Sequence, residues 1–114
     1  MAAQSTLAGR LRGAAERTDL DQADFAQLLG TNPRTVARWL AEETEPRTDA
    51  RRRLLEVLAV LEQLSVVMRP QAAHDWLFSP NPLLGHDKPI DLLARGEWRR
   101  VLGLIDALEE GVFV

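Results

Sequence analysis

A chain of 114 residues with 46% hydrophobic and 27% charged residues has the size and balance of one soluble domain, or of one domain with a helical extension. The absence of cysteine excludes disulfides, thiol catalysis and thiolate zinc sites. A net charge of −3 argues against indiscriminate binding of nucleic acid.

From Met1 to Leu11 there is no apolar run of the kind a signal peptide needs. The longest apolar region, Leu54 to Met68, is interrupted by Glu56, Glu62 and Gln63, so no membrane span is expected. The expectation is a cytoplasmic protein. No sustained period-two alternation and no Asn-Gly or Asp-Gly turn marks a strand, whereas helical signals fill the chain. The predicted fold class is all-α.

A first helix is predicted from about Ser5 to Arg17, with Leu7, Leu11, Ala14 and Ala15 along one side. The second has a marked start. Asp21 is placed to cap the amide of Asp24, and Leu20 and Phe25 occupy the hydrophobic-staple positions. Gly30 is placed to end it in the left-handed conformation. Asn32 then caps a third helix that begins at Pro33, where a missing N–H costs nothing, and runs to about Glu42. After the break Thr44-Glu45-Pro46, Thr48 opens a long helix with Leu54, Val57, Leu58, Leu61 and Met68 on one face. Leu55, Val60 and Val67 widen that surface, so this helix is expected to be covered on two sides.

Pro70 starts a short helix through Phe78, followed by the connector Ser79-Pro80-Asn81-Pro82, where Asn81 is expected to cap and shape the loop. A turn of helix from Pro89 to Arg95 stops at Gly96. The last helix, Glu97 to about Glu109, carries the stripe Trp98, Val101, Leu102, Ile105 and Leu108. The division drawn from this pattern is residues 1–47 as an N-terminal helical unit and 48–114 as a connecting helix, a small C-terminal domain and a terminal tail.

Ala26, Gly30, Val36 and Trp39 stand at spacings of four, six and three, as a helix-turn-helix requires. A small residue lets the next helix cross closely, glycine makes the turn, and two apolar residues three apart lock the following helix to the core. An ordinary helical hairpin would satisfy the same pattern. The charge distribution favours this half for phosphate: residues 1–53 hold nine arginines against eight carboxylates, a net of +1, whereas residues 54–114 hold five basic against nine acidic side chains, a net of −4.

If DNA is bound, the exposed start of the third helix should read it, through Asn32, Arg34, Thr35 and Arg38. Arg51 and Arg52, with Arg53, could reach phosphates; the same run could equally be a solvated helix face. Glu42, Glu43 and Glu45 would repel the backbone, so useful affinity would need two copies on two half-sites.

The second half carries a resemblance. Trp76-Leu77-Phe78-Ser79-Pro80-Asn81-Pro82-Leu83-Leu84, Lys88-Pro89-Ile90-Asp91-Leu92-Leu93, Val101-Leu102-Gly103-Leu104-Ile105 and the closing Glu110-Gly111-Val112-Phe113-Val114 together resemble the toxin-binding domain of Xre/ParS-type antitoxins of the RES–Xre toxin–antitoxin family. A helix-turn-helix precedes this domain in the family, as here.

The resemblance implies a partner, a RES-domain toxin that destroys NAD, and repression of the operon's own promoter by binding operator DNA. It also implies a homodimer within a larger toxin–antitoxin hetero-oligomer. The family's C-terminal end lies against the toxin's active-site cleft, which singles out Gly111, Val112, Phe113 and Val114 here; Lys88 and Asp91 match the family's Lys-Pro-x-Asp loop. The residues suit that role, because burying Phe113 in a partner would contribute roughly 1.5–3 kcal/mol. Without the resemblance, Phe113 folding back onto its own core is the plainer reading. The alternative function is a plain helix-turn-helix transcription regulator whose C-terminal domain dimerises or senses another partner.

Other chemistry finds little support. His74 and Asp75 are adjacent on a helix and diverge, and His74 and His86 lack metal-ligand spacing. No phosphate loop or nucleophile motif occurs, so neither an enzyme nor a bound metal or cofactor is expected. Trp76 and Trp98 read as packing residues.

Overall fold

The computed structural model describes residues 6–111, and among these it contains seven α-helices, one 3-10 turn and no strand. Helix α1 (Leu7–Thr18) is capped by the Thr6 hydroxyl, which accepts from Gly9 N–H at 2.9 Å. Asp21 and Asp24 form a reciprocal capping box at the start of α2 (Gln22–Leu29), with bonds of 2.8 and 3.0 Å. Gly30 ends α2 at φ +67°, and Thr31 N–H returns to Ala26 O at 2.9 Å. One residue later Asn32 caps α3 (Pro33–Leu40).

The third helix stops two residues before the expected Glu42. Glu42 turns to φ +60°, its N–H donates to Trp39 O and the Glu43 N–H donates to Arg38 O, which closes the last turn.

Helix α4 (Thr48–Val67) is the spine, about 30 Å long for its 20 residues. Leu54, Val57, Leu58, Val60, Leu61 and Leu64 are buried on it, with Leu55 and Val67 half-buried, so it is covered on more than one side as its pattern implied. It ends at Val67 rather than Met68, because Arg69 precedes Pro70 and the chain turns extended there. Helix α5 (Pro70–Leu77), the 3-10 turn Pro82–Leu84, α6 (Pro89–Ala94) and α7 (Trp98–Glu109) complete the chain. The Asn81 carboxamide oxygen accepts from Leu83 N–H at 2.9 Å and so shapes the connector as expected.

One apolar cluster runs from Leu11 and Phe25 through Val36 and Leu61 to Leu92 and Ile105, crossing the 47/48 division. Trp39 is buried in it, while Trp76 and Trp98 pack against it partly buried. Two polar ties reinforce the crossing. Arg10 on α1 makes a two-bond fork with Glu62 on α4, at 2.7 and 2.9 Å, which holds the guanidinium pKa above its ordinary value. Arg53 on α4 donates to Leu28 O at 3.0 Å and to Ala94 O at 2.8 Å. Both carbonyls lie at helix C-termini, where the backbone offers no partner. Arg12 does the same for Leu40 O at 2.8 Å. Among the described residues, no helix is long and apolar enough to cross a membrane.

Candidate interaction surfaces

Three surfaces hold the residues singled out in the sequence. The first is the start of α3. The Asn32 side-chain oxygen accepts from Thr35 N–H at 2.9 Å and lies 3.3 Å from the Thr35 hydroxyl. Those two residues therefore hold the helix start in shape. Val36 and Trp39 face inward, while Arg34 and Arg38, four apart on the outer face, are exposed and make no ion pair among the described residues.

Arg51 and Arg52 stand exposed on the first turns of α4, with Arg52 only 4.0 Å from Asp49. Arg51 lines a cavity of about 690 Å³ shared with Glu42, Glu43 and Glu45, so its immediate field is acidic. Arg53 is a correction to the reading of the triple arginine. It is turned inward onto two helix-end carbonyls and is not offered to phosphate.

The second surface is a groove of about 230 Å³ between α2 and α6. Lys88, Ile90, Asp91 and Ala94 line it from the Lys-Pro-x-Asp loop and α6. Asp24, Gln27 and Leu28 line it from α2, and Phe78 lines it from the end of the Pro70–Leu77 helix. Pro89 sits at the first position of α6, where its fixed φ starts the helix and leaves Lys88 and Asp91 exposed on either side of it. Lys88 and Asp91 were singled out in the sequence, whereas Asp24, Gln27 and Phe78, which line the same groove, were not. Nothing local links α2 to a loop more than sixty positions away.

The third surface is the end of α7. Gly111 takes φ +74°, a left-handed exit that suits glycine, and its N–H returns to Leu108 O at 3.1 Å. Glu109, just before it, accepts from Gln63 at 2.7 Å. Gln63 lies ten residues beyond Arg53 on α4, about 15 Å along the helix, so Gly111 and the groove stand at different ends of the C-terminal half. Val112, Phe113 and Val114 lie outside the described residues.

Around α6 the charges pair locally. Arg95 reaches Asp87 at 3.2 Å and Glu97 at 2.9 Å, and Arg100 reaches Glu97 at 2.9 Å. The hydrogen bond from Arg100, then that from Arg95, holds the Glu97 carboxyl below its usual pKa. The two histidines do not meet: His74 lies 3.0 Å from Asp19 O through Nδ1 and is tilted against Phe78. No group of side chains among the described residues could hold a metal ion.

The described residues form a helical scaffold that presents exposed charges and grooves. Residues 59–111 match the antitoxin Xre/MbcA/ParS C-terminal toxin-binding domain. The chain is 44% identical to the mycobacterial cidal antitoxin MbcA of Mycobacterium tuberculosis and of Mycobacterium bovis over 110 residues, 96% of this chain and 97% of each relative. It therefore belongs to the Xre/MbcA/ParS family of antitoxins and is not an enzyme. A probable mycobacterial cidal antitoxin of M. tuberculosis is 29% identical over 93 residues, 82% of this chain and 79% of that one. Among solved structures, the crystal structure of the M. tuberculosis MbcT–MbcA toxin–antitoxin complex contains a chain that superposes with a TM-score of 0.87 at 44% identity, covering 96% of this chain and 99% of that one. The all-α architecture is shared with that neighbour.

Proposed function

We propose that this antitoxin binds and silences a RES-fold toxin that degrades NAD, closing the toxin's active site with its C-terminal tail. The observation that carries the reading is the near-complete superposition on a chain crystallised in a toxin–antitoxin complex. Lys88 and Asp91 contact the toxin from the groove side, while Gly111 directs Val112, Phe113 and Val114 toward the cleft. Gly111 supports that role because a left-handed residue after a helix turns the following chain away from the helix axis. A tail carrying Val-Phe-Val gains by leaving water for an apolar cleft.

The second activity is repression of its own operon. Residues 1–47 act as a helix-turn-helix in which Asn32 and Thr35 shape the start of α3, and Arg34 and Arg38 reach base edges or phosphates from its exposed face. Arg51 and Arg52 add phosphate contacts. The acidic turn after α3 weakens a single copy, so the DNA-binding form is a homodimer inside the larger complex with toxin. Both activities belong in the cytoplasm.

The test is co-expression with the protein encoded by the adjacent gene, followed by affinity capture and an NAD-consumption assay. The expected result is that the neighbour consumes NAD, that the full chain stops it, and that a chain lacking Val112 to Val114 still binds but no longer inhibits. A neighbour that forms no complex and leaves NAD untouched overturns the proposal in favour of a plain transcription regulator.

A further inference from the structure

The groove between α2 and α6 is built from both halves of the chain. Its lining combines apolar Leu28, Phe78, Ile90 and Ala94 with charged Asp24, Lys88 and Asp91. Leu28 on α2 and Ala94 on α6, both in its lining, are also the two residues whose carbonyls Arg53 bridges. One guanidinium thus ties the walls together and sets their separation. A cleft held open in this way is preformed, and a partner entering it meets little reorganisation cost.

Size and charge limit what can enter. At about 230 Å³ the groove lies below the roughly 300–1,000 Å³ usual for small-molecule sites and suits one large apolar side chain. Its charged lining is two carboxylates, Asp24, which also accepts from Asp21 N–H, and Asp91, against a single ammonium, Lys88. Neither Asp91 nor Lys88 forms an ion pair among the described residues, and the nearby Arg95 is already shared between Asp87 and Glu97. The complement of this lining is a basic group beside an apolar one.

We infer that this groove is a docking surface for the toxin, one that receives a large apolar side chain flanked by a basic side chain and draws the N-terminal half into the toxin interface. The inference rests on the toxin-binding reading given above and extends it to α2. One consequence is that toxin seated in the groove contacts the helix that leads through Gly30 into α3.

The test is isothermal titration of the full chain with the purified product of the adjacent gene. Gln27→Trp fills the groove from an exposed position and should weaken binding by about ten-fold or more, as loss of a central anchor does. Gln22→Trp, exposed at the start of the same helix and outside the groove, should stay within about two-fold of the parent. Circular dichroism melts of both variants show that each is folded. Asp91→Asn should weaken binding and flatten its dependence on salt.

Parent-like binding by Gln27→Trp overturns the groove while the antitoxin reading stands. Parent-like or tighter binding by Asp91→Asn, with its salt dependence unchanged, overturns the basic occupant. If the parent chain itself fails to bind, the toxin-binding reading falls and the groove proposal falls with it.

Discussion

Arg53 joins the two halves of this protein, and replacing it should show how tightly they are joined. In Arg53→Met the aliphatic stem remains, but the bonds to Leu28 O and Ala94 O, at 3.0 and 2.8 Å, are lost. Each carbonyl sits at a helix end without a backbone partner, so removal of the donor strands two acceptors at once. Arg53 is half-buried, and water can partly replace it; about 1–1.5 kcal/mol for each bond is therefore the appropriate scale, roughly 2–3 kcal/mol in all. For a chain of 114 residues, that corresponds to a fall in Tm of about 8–12 °C.

The assay is urea and thermal unfolding followed by circular dichroism. The parent should unfold in one cooperative transition, because a single apolar cluster spans the chain. Arg53→Lys keeps one ammonium that can reach one carbonyl and should lose about half as much. A loss below about 0.5 kcal/mol for Arg53→Met would refute the argument, since the two bonds would then be worth no more than a surface contact. Two separate transitions in the parent would refute the shared core.

Two further outcomes follow from the surface charges. Glu97 has its pKa lowered by Arg100 and Arg95, so its contribution to stability is present above the ordinary carboxyl range and is lost as pH falls through its folded value. NMR titration should find the Glu97 carboxyl below the ordinary glutamate value, and Arg100→Ala should move it up toward that value. In a mobility-shift assay on the upstream DNA, Arg34→Ala and Arg38→Ala should each weaken binding and reduce the salt slope by roughly one unit for a lost phosphate contact, whereas the paired Arg95→Ala should leave the slope unchanged.

The helices were readable because their signals are local. Asp21 with Asp24, Asn32 before Pro33, and prolines at 70 and 89 act within one turn of themselves, and each cap forms where its residue type implies. The apolar stripe of α4 likewise marked the spine, since burial follows helical period. The family was legible from four separated motifs in the second half. Where local logic misjudged, the cause was also local: Glu42 enters a conformation that most side chains avoid, so nothing in its type marked the end of α3.

Contacts between distant segments were decided by tertiary structure alone. Three consecutive arginines are chemically identical, yet Arg51 and Arg52 stay in solvent while Arg53 turns inward, because only its position on α4 points at two helix ends brought there by packing. The same packing sets Asp24 and Gln27 across a groove from Lys88 and Asp91. Sequence determined which segments became helices and which faces were apolar, through interactions that span a turn. Which side chains then faced each other depended on how those faces met in a shared core, and that is settled only when the whole chain has packed.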